Sequence, residues 1–123
     1  MATPLISVVD DDYSVRESLA RLIRSVGFSV LAFGSAEEFL SRGPGHEPDC
    51  LILDIRMPGM NGLELQRELS ATDPDLPVIF ITAHASDEQV RARALEAGAV
   101  AFLLKPLREE EVLKAIDVAL GSK

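Results

Sequence analysis

Five short apolar runs rich in branched and aromatic residues recur along the chain: Leu5 to Val9, Ser29 to Phe33, Cys50 to Leu53, Val78 to Thr82 and Ala101 to Leu104. Stretches with helical periodicity separate them. Strands that alternate with helices in this way join through crossovers, and the result is a parallel α/β sheet. The first, third and fourth runs are almost continuously apolar, as central strands covered on both faces must be. Ser29-Val30-Leu31-Ala32-Phe33 mixes in smaller residues and reads as an edge strand.

The helix starts carry local signals. Ser14-Val15-Arg16-Glu17 has the form of a capping box, in which a serine and a glutamate three residues on satisfy each other's orphan backbone N–H groups. Ser35-Ala36-Glu37-Glu38 and Ser86-Asp87-Glu88-Gln89 repeat the pattern. Val15, Leu19, Leu22, Ile23 and Val26 form one apolar stripe, with Gly27 placed for a left-handed cap. The spacing predicts helices over Ser14 to Val26, Ala36 to Arg42, Gly62 to Leu69, Asp87 to Ala97 with Gly98 behind it, and Glu109 to Leu120. Gly43 to Pro48 and Asp73 to Pro77 have the proline and glycine chemistry of short loops that feed strands, and neither is long enough to link two domains. A chain of 123 residues, 47% of them hydrophobic, makes one domain with ample core.

Charge excludes some functions. Twelve Lys and Arg stand against 20 Asp and Glu, a net charge of −8. Without a basic run to offset it, this balance repels phosphate backbones and anionic membrane surfaces, so neither nucleic acid nor membrane is expected as a direct partner of this chain. Cys50 is the one cysteine and lies in an apolar run, where a thiol packs as a small hydrophobe. A reducing, cytoplasmic setting fits. The first apolar run is too short for a leader or a membrane span and ends in three acids, so neither is expected.

In open parallel sheets, functional groups gather at the carboxyl ends of the strands. Here the first strand ends in Asp10-Asp11-Asp12, the third in Asp54, the fourth in Thr82 and the fifth in Lys105-Pro106, so four strands send polar groups to one edge. Two unit charges about 4 Å apart repel by roughly 4 kcal/mol at an effective dielectric near 20, so carboxylates this concentrated call for a counter-charge. Oxygen ligands without clustered His or Cys favour a hard cation such as Mg²⁺. The plainer reading is that Asp11 and Asp12 solvate a loop and cap the helix. Asp54 precedes a loop marked by Pro58, Gly59 and Gly62, which holds space open around a carboxylate able to act as a nucleophile towards phosphorus. A structural Asp that satisfies loop amides is the alternative. Lys105 supplies an ammonium and Thr82 a hydroxyl, both suited to a phosphoryl oxygen and both common as surface or strand residues elsewhere. Lys105-Pro106 is open to the cis isomer.

Together these residues resemble the receiver domain of two-component response regulators, over essentially the whole chain. Val8-Val9-Asp10-Asp11, Leu53-Asp54-Ile55-Arg56-Met57-Pro58-Gly59-Met60-Asn61-Gly62, Ile81-Thr82-Ala83 and Lys105-Pro106 carry the resemblance, and Asp49 after Pro48 is usual in that family. Ile81 to His84 and Val100 to Leu107 look most like the FixJ-type subgroup, whose members continue into a helix-turn-helix domain. No such output domain is present here, so the expectation for residues 1–123 is a single receiver, either truncated from a longer regulator or stand-alone.

The resemblance implies a flavodoxin-like (CheY-like) five-stranded sheet of order 2-1-3-4-5 with helices on both faces. It further implies that Asp54 accepts a phosphoryl group from a sensor histidine kinase. Asp11, Asp54 and the backbone carbonyl of Arg56 would ligate Mg²⁺, with Asp10 holding the ion through water and Asp12 outside the metal set. Thr82 and Lys105 would bind phosphoryl oxygens. Phe102 stands where the family places its switching aromatic, although it reads equally as core. A phosphorylation-dependent homodimer through Val90, Ala94, Leu95, Ala97, Ala101 and Leu103 is a family expectation. So is assistance by the domain to its own phosphorylation and dephosphorylation, without turnover of a separate substrate. His84 is given a structural or solvent role.

Three other readings compete. Haloacid-dehalogenase-like phosphotransferases need a second Asp two residues after the nucleophile, where this chain has Arg56. A flavin carrier would meet repulsion from Asp10, Asp11 and Asp12 and finds only Tyr13 among tyrosines for stacking. A receiver-like module that binds partners without phosphorylation is the third.

Overall fold

The computed structural model describes residues 3–83 and 88–121. Ten elements alternate: β1 (Leu5–Val9), α1 (Tyr13–Ser25), β2 (Ser29–Phe33), α2 (Ala36–Leu40), β3 (Cys50–Asp54), α3 (Gly62–Thr72), β4 (Val78–Thr82), α4 (Glu88–Glu96), β5 (Ala101–Leu104) and α5 (Glu109–Gly121). The strands form one parallel sheet of order β2-β1-β3-β4-β5. β2 is an edge strand, as its mixed composition suggests, and β3 and β4 are buried at every position.

Side-chain alternation along the strands divides the core in two. Ile6, Val8, Cys50, Ile52, Ile79 and Ile81 pack on one face against Leu19 and Ile23 of α1 and Val112 and Ile116 of α5. On the other face, Val9, Leu51, Leu53, Val78 and Phe80 meet Phe39 of α2, Leu65 and Leu69 of α3 and Ala94 of α4. Each fully buried Leu, Ile or Phe contributes about 1.5–3 kcal/mol relative to exposure.

The helix ends depart from the sequence reading in informative ways. Ser14 does not cap α1. The helix starts one residue earlier, and the cap is Asp12, whose carboxylate accepts from the Ser14 and Val15 amides. A carboxylate is a stronger acceptor than a hydroxyl and also complements the helix dipole, so it wins the position. Ser35 caps α2 as expected by accepting from Glu38 N at 3.0 Å. The reciprocal capping box belongs to α3, where Asn61 and Glu64 exchange both bonds at 2.9 Å. α2 stops at Leu40, short of Arg42, while α3 continues to Thr72 and closes with Asp73 N donating to Leu69 O. Gly27 has φ of +98° and follows α1 as a left-handed cap should. His84 and the Ser86-Asp87 helix start lie outside the described residues. Among the described residues no helix is long and apolar enough to cross a membrane.

Candidate functional site

Because all strands run in parallel, their carboxyl ends share one edge, and β1, β3, β4 and β5 bring Asp10, Asp54, Thr82 and Lys105 to it. Backbone bonds set the spacing. Lys105 N donates to Thr82 O at 2.8 Å, Ile55 N to Ile81 O at 3.2 Å, and Asp10 N to Phe33 O at 3.1 Å. After Asp54, Gly62 N donates to Ile55 O at 2.9 Å and folds the loop back. A Cβ on Gly62 would collide with the Asp54 carbonyl and Ile55 Cα, so only glycine permits this approach. The far side of the loop is tied to α2 by Glu37, which accepts the Met60 amide at 2.9 Å. That bond, with a lesser one to its own amide, holds the Glu37 carboxyl below the usual carboxylate range.

Asp10, Asp11 and Asp54 each offer a carboxylate oxygen, all within 4.8 Å of one another. Asp10 and Asp54 are buried, at 0% and 4% exposure, and Asp11 is exposed. Lys105 Nζ stands 2.9 Å from Asp10 Oδ2 and 3.6 Å from Asp54 Oδ2. The Asp54 carboxyl is pushed up to about 7, first by burial, then by the charge of Asp10 and less by Asp11, while Lys105 pulls the other way. Burial alone would lower the Lys105 ammonium. The hydrogen bond and charge of Asp10, joined by Asp54, outweigh it, and the lysine is raised above its ordinary value.

The donor set suits a hard divalent cation. It consists of oxygens only, and Asp10 Oδ2, buried with Lys105 against it, keeps a second lone pair for an ion. Asp12 does not join the cluster but caps α1, so the plainer of the two sequence readings holds for it. Arg56 is exposed on the loop two residues beyond Asp54. Thr82 is buried at 2% exposure. Phe102 is half-buried on β5 against the α2–α3–α4 side of the core. Of the apolar residues considered for a dimer face, Ala94 is fully buried and Leu95 is 45% exposed, while Ala101 and Leu103 pack on the other side of the sheet, against the core under α1 and α5, because alternate strand residues face opposite ways.

Asp49, noted in the sequence beside Pro48, accepts the Leu5 amide through Oδ2 at 2.8 Å and joins the starts of β3 and β1, at the opposite end of the sheet from the site. One site-supporting residue escaped the sequence reading. Arg16 reaches over the end of β1 to donate from Nη1 to the Asp10 carbonyl at 2.7 Å. The signal for Arg16 was its place on the same helical turn as the Asp12 cap.

Comparison with known proteins agrees with this geometry. Residues 6–117 match the family model described as response regulator receiver domain. Nodulation protein W of Bradyrhizobium diazoefficiens is 47% identical over 115 residues, which is 94% of this chain and 50% of that protein. Response regulator protein TodT of Pseudomonas putida is 47% identical over 116 residues, 94% of this chain and 51% of its own length. The chain thus spans about half the length of these relatives. Among solved structures, FixJ-N superposes with a TM-score of 0.86 at 38% identity and covers 98% of this chain and 96% of its own. The strand order, the acidic edge and a match that runs from β1 into α5 all lead to one assignment: the chain belongs to the response regulator receiver domain family.

Proposed function

We propose that this domain accepts a phosphoryl group on Asp54 from a phosphohistidine of a sensor histidine kinase, in a Mg²⁺-dependent reaction. One observation carries the reading: three carboxylates and the Lys105 ammonium converge on one sheet edge, with Lys105 Nζ 3.6 Å from Asp54 Oδ2. In the transfer, an Asp54 carboxylate oxygen forms the O–P bond as the N–P bond of the phosphohistidine breaks, and the bonding electrons leave with the imidazole. Asp10, Asp11, Asp54 and the Arg56 carbonyl would hold Mg²⁺, which supplies charge stabilisation to the phosphoryl oxygens. Lys105 offers a second cation 3.6 Å from Asp54 Oδ2, and the Thr82 hydroxyl sits at the end of the adjacent strand. The same groups would assist hydrolysis of the acyl phosphate, so the domain modifies itself and turns over no separate substrate.

Phosphorylation adds charge and new acceptor oxygens at this edge. Thr82 would move to one of them and Phe102 would take up the vacated space, which would change the face of α4 and β5 around Val90 and Leu95. A second phosphorylated copy is the proposed occupant of that face. Control of transcription would require an attached DNA-binding domain, since the net charge of −8 disfavours direct contact with nucleic acid. Buried Cys50 is compatible with a cytoplasmic setting.

The test is intact mass after incubation with acetyl phosphate, with and without Mg²⁺, for the wild type and Asp54→Asn. A single phosphoryl adduct that needs both Mg²⁺ and Asp54 supports the proposal. A folded, Mg²⁺-binding protein that never gains the adduct would instead be a receiver-like binding module.

A further inference from the structure

Asp10 has four polar groups, and three have directional partners. Its amide donates to Phe33 O at 3.1 Å, its Oδ1 accepts the Asp12 amide at 2.8 Å, and its carbonyl accepts Arg16 Nη1 at 2.7 Å. Oδ2 alone is left for the ion pair with Lys105 and for the acidic cluster. The Arg16 bond is short and charge-assisted, so it is among the stronger of these contacts.

It also acts at a decisive place. The Asp10 carbonyl belongs to the peptide that leads into Asp11, and the direction of that peptide sets where the Asp11 carboxylate points. Asp11 is exposed, so packing does not hold it. Arg16 is half-buried, and besides the Asp10 carbonyl its guanidinium carbon lies 5.6 Å from the centre of the Tyr13 ring.

We infer that Arg16 is a positioning residue for divalent-cation binding, which locks the Asp10–Asp11 peptide so that the Asp11 carboxylate converges with those of Asp10 and Asp54. It touches neither the ion nor the phosphoryl group. The inference rests on the Mg²⁺-dependent reading above, and it predicts a loss of cation affinity, not of chemistry once the cation is bound. Removal of groups that orient metal ligands from behind costs about 10-fold or more in affinity.

The experiment titrates Mg²⁺ by calorimetry into metal-free wild type, Arg16→Ala and Arg16→Lys, with exchange of the Asp12 amide followed by NMR before metal is added. Arg16→Ala is expected to weaken Mg²⁺ binding about 10-fold and to speed Asp12 exchange. Arg16→Lys, which keeps a cationic donor, should recover most of both. At saturating Mg²⁺ the acetyl-phosphate adduct on Asp54 should form in Arg16→Ala nearly as fast as in the wild type. Binding within twofold of wild type in Arg16→Ala overturns the inference and leaves the proposed function intact. A wild type that binds no Mg²⁺ overturns both. A wild type that binds Mg²⁺ and shows the Arg16 effect, yet gains no adduct, sinks only the phosphoacceptor reading.

Discussion

Lys105 Nζ lies 2.9 Å from Asp10 Oδ2, nearer than its 3.6 Å to Asp54 Oδ2, so the ammonium at this edge is committed first to the acid at the end of β1. Asp10 has no exposure at all, while Lys105 keeps 18% of its side chain accessible. The lysine therefore lies against a fully buried carboxylate and remains within reach of a new anion at Asp54. Lys105→Met should strand that charge. Loss of one partner from a buried pair costs several kcal/mol, and the partial exposure of Lys105 places this case near the low end, about 2 kcal/mol. Chemical denaturation in chelator should show the loss, and saturating Mg²⁺ should restore part of it.

Asp54 makes a pH prediction with a definite sign. Its folded value near 7 lies above the ordinary 3.8, so between those limits the folded protein holds a proton that the unfolded chain has released. Its contribution to stability is therefore fully present below about pH 4 and is lost as pH rises through about 7. In chelator, Asp54→Asn should equal the wild type near pH 4 and exceed it at pH 8 by about 1–2 kcal/mol. The full conversion of about 1.36 kcal/mol per unit is reduced by screening from Lys105 and solvent. A constant difference across this range would count against the acidic-cluster origin.

Asp11 and Asp12 are neighbours with separable roles. Asp12→Ala removes the α1 cap and should cost about 1 kcal/mol while leaving Mg²⁺ affinity within twofold, because the bond to Asp10 Oδ1 comes from its backbone amide. Asp11→Ala should do the reverse. It relieves repulsion in the metal-free state and weakens Mg²⁺ binding at least 10-fold. Calorimetry and thermal melts on both variants read out the difference.

Gly62→Ala tests the loop that follows the candidate phosphoacceptor. The added methyl meets backbone, the Asp54 carbonyl and Ile55 Cα, neither of which can swing away as a flexible side chain would. A cost of about 2 kcal/mol is expected, together with slower adduct formation on Asp54. Gly43→Ala, with open space around it, serves as the control.

The strands and the polar residues at their ends were legible because burial on two faces imposes continuous apolar runs, and parallel direction then dictates which termini meet. Asp10, Asp54, Thr82 and Lys105 could therefore be placed on one edge from their positions alone. The helix caps were harder to read, since Ser14 and Asp12 both offer acceptors and the choice depends on backbone direction after β1. Asn61-x-x-Glu64 carried a capping box that the run of loop residues before it obscured. That Lys105 favours Asp10 over Asp54, and that Arg16 bonds a carbonyl, depend on side-chain reach across elements, which spacing along the chain does not encode.

The sheet order has a mechanical corollary. β3, which carries Asp54, is clamped between two strands and covered on both faces, whereas β5 has a neighbour on one side only and none of its four residues is fully buried. Thr82 and Lys105 meet across that last seam, with Thr82 in register with Leu104. A pull exerted on those two side chains from Asp54 would thus meet a buried, doubly paired strand at one end and a half-exposed, singly paired rim at the other.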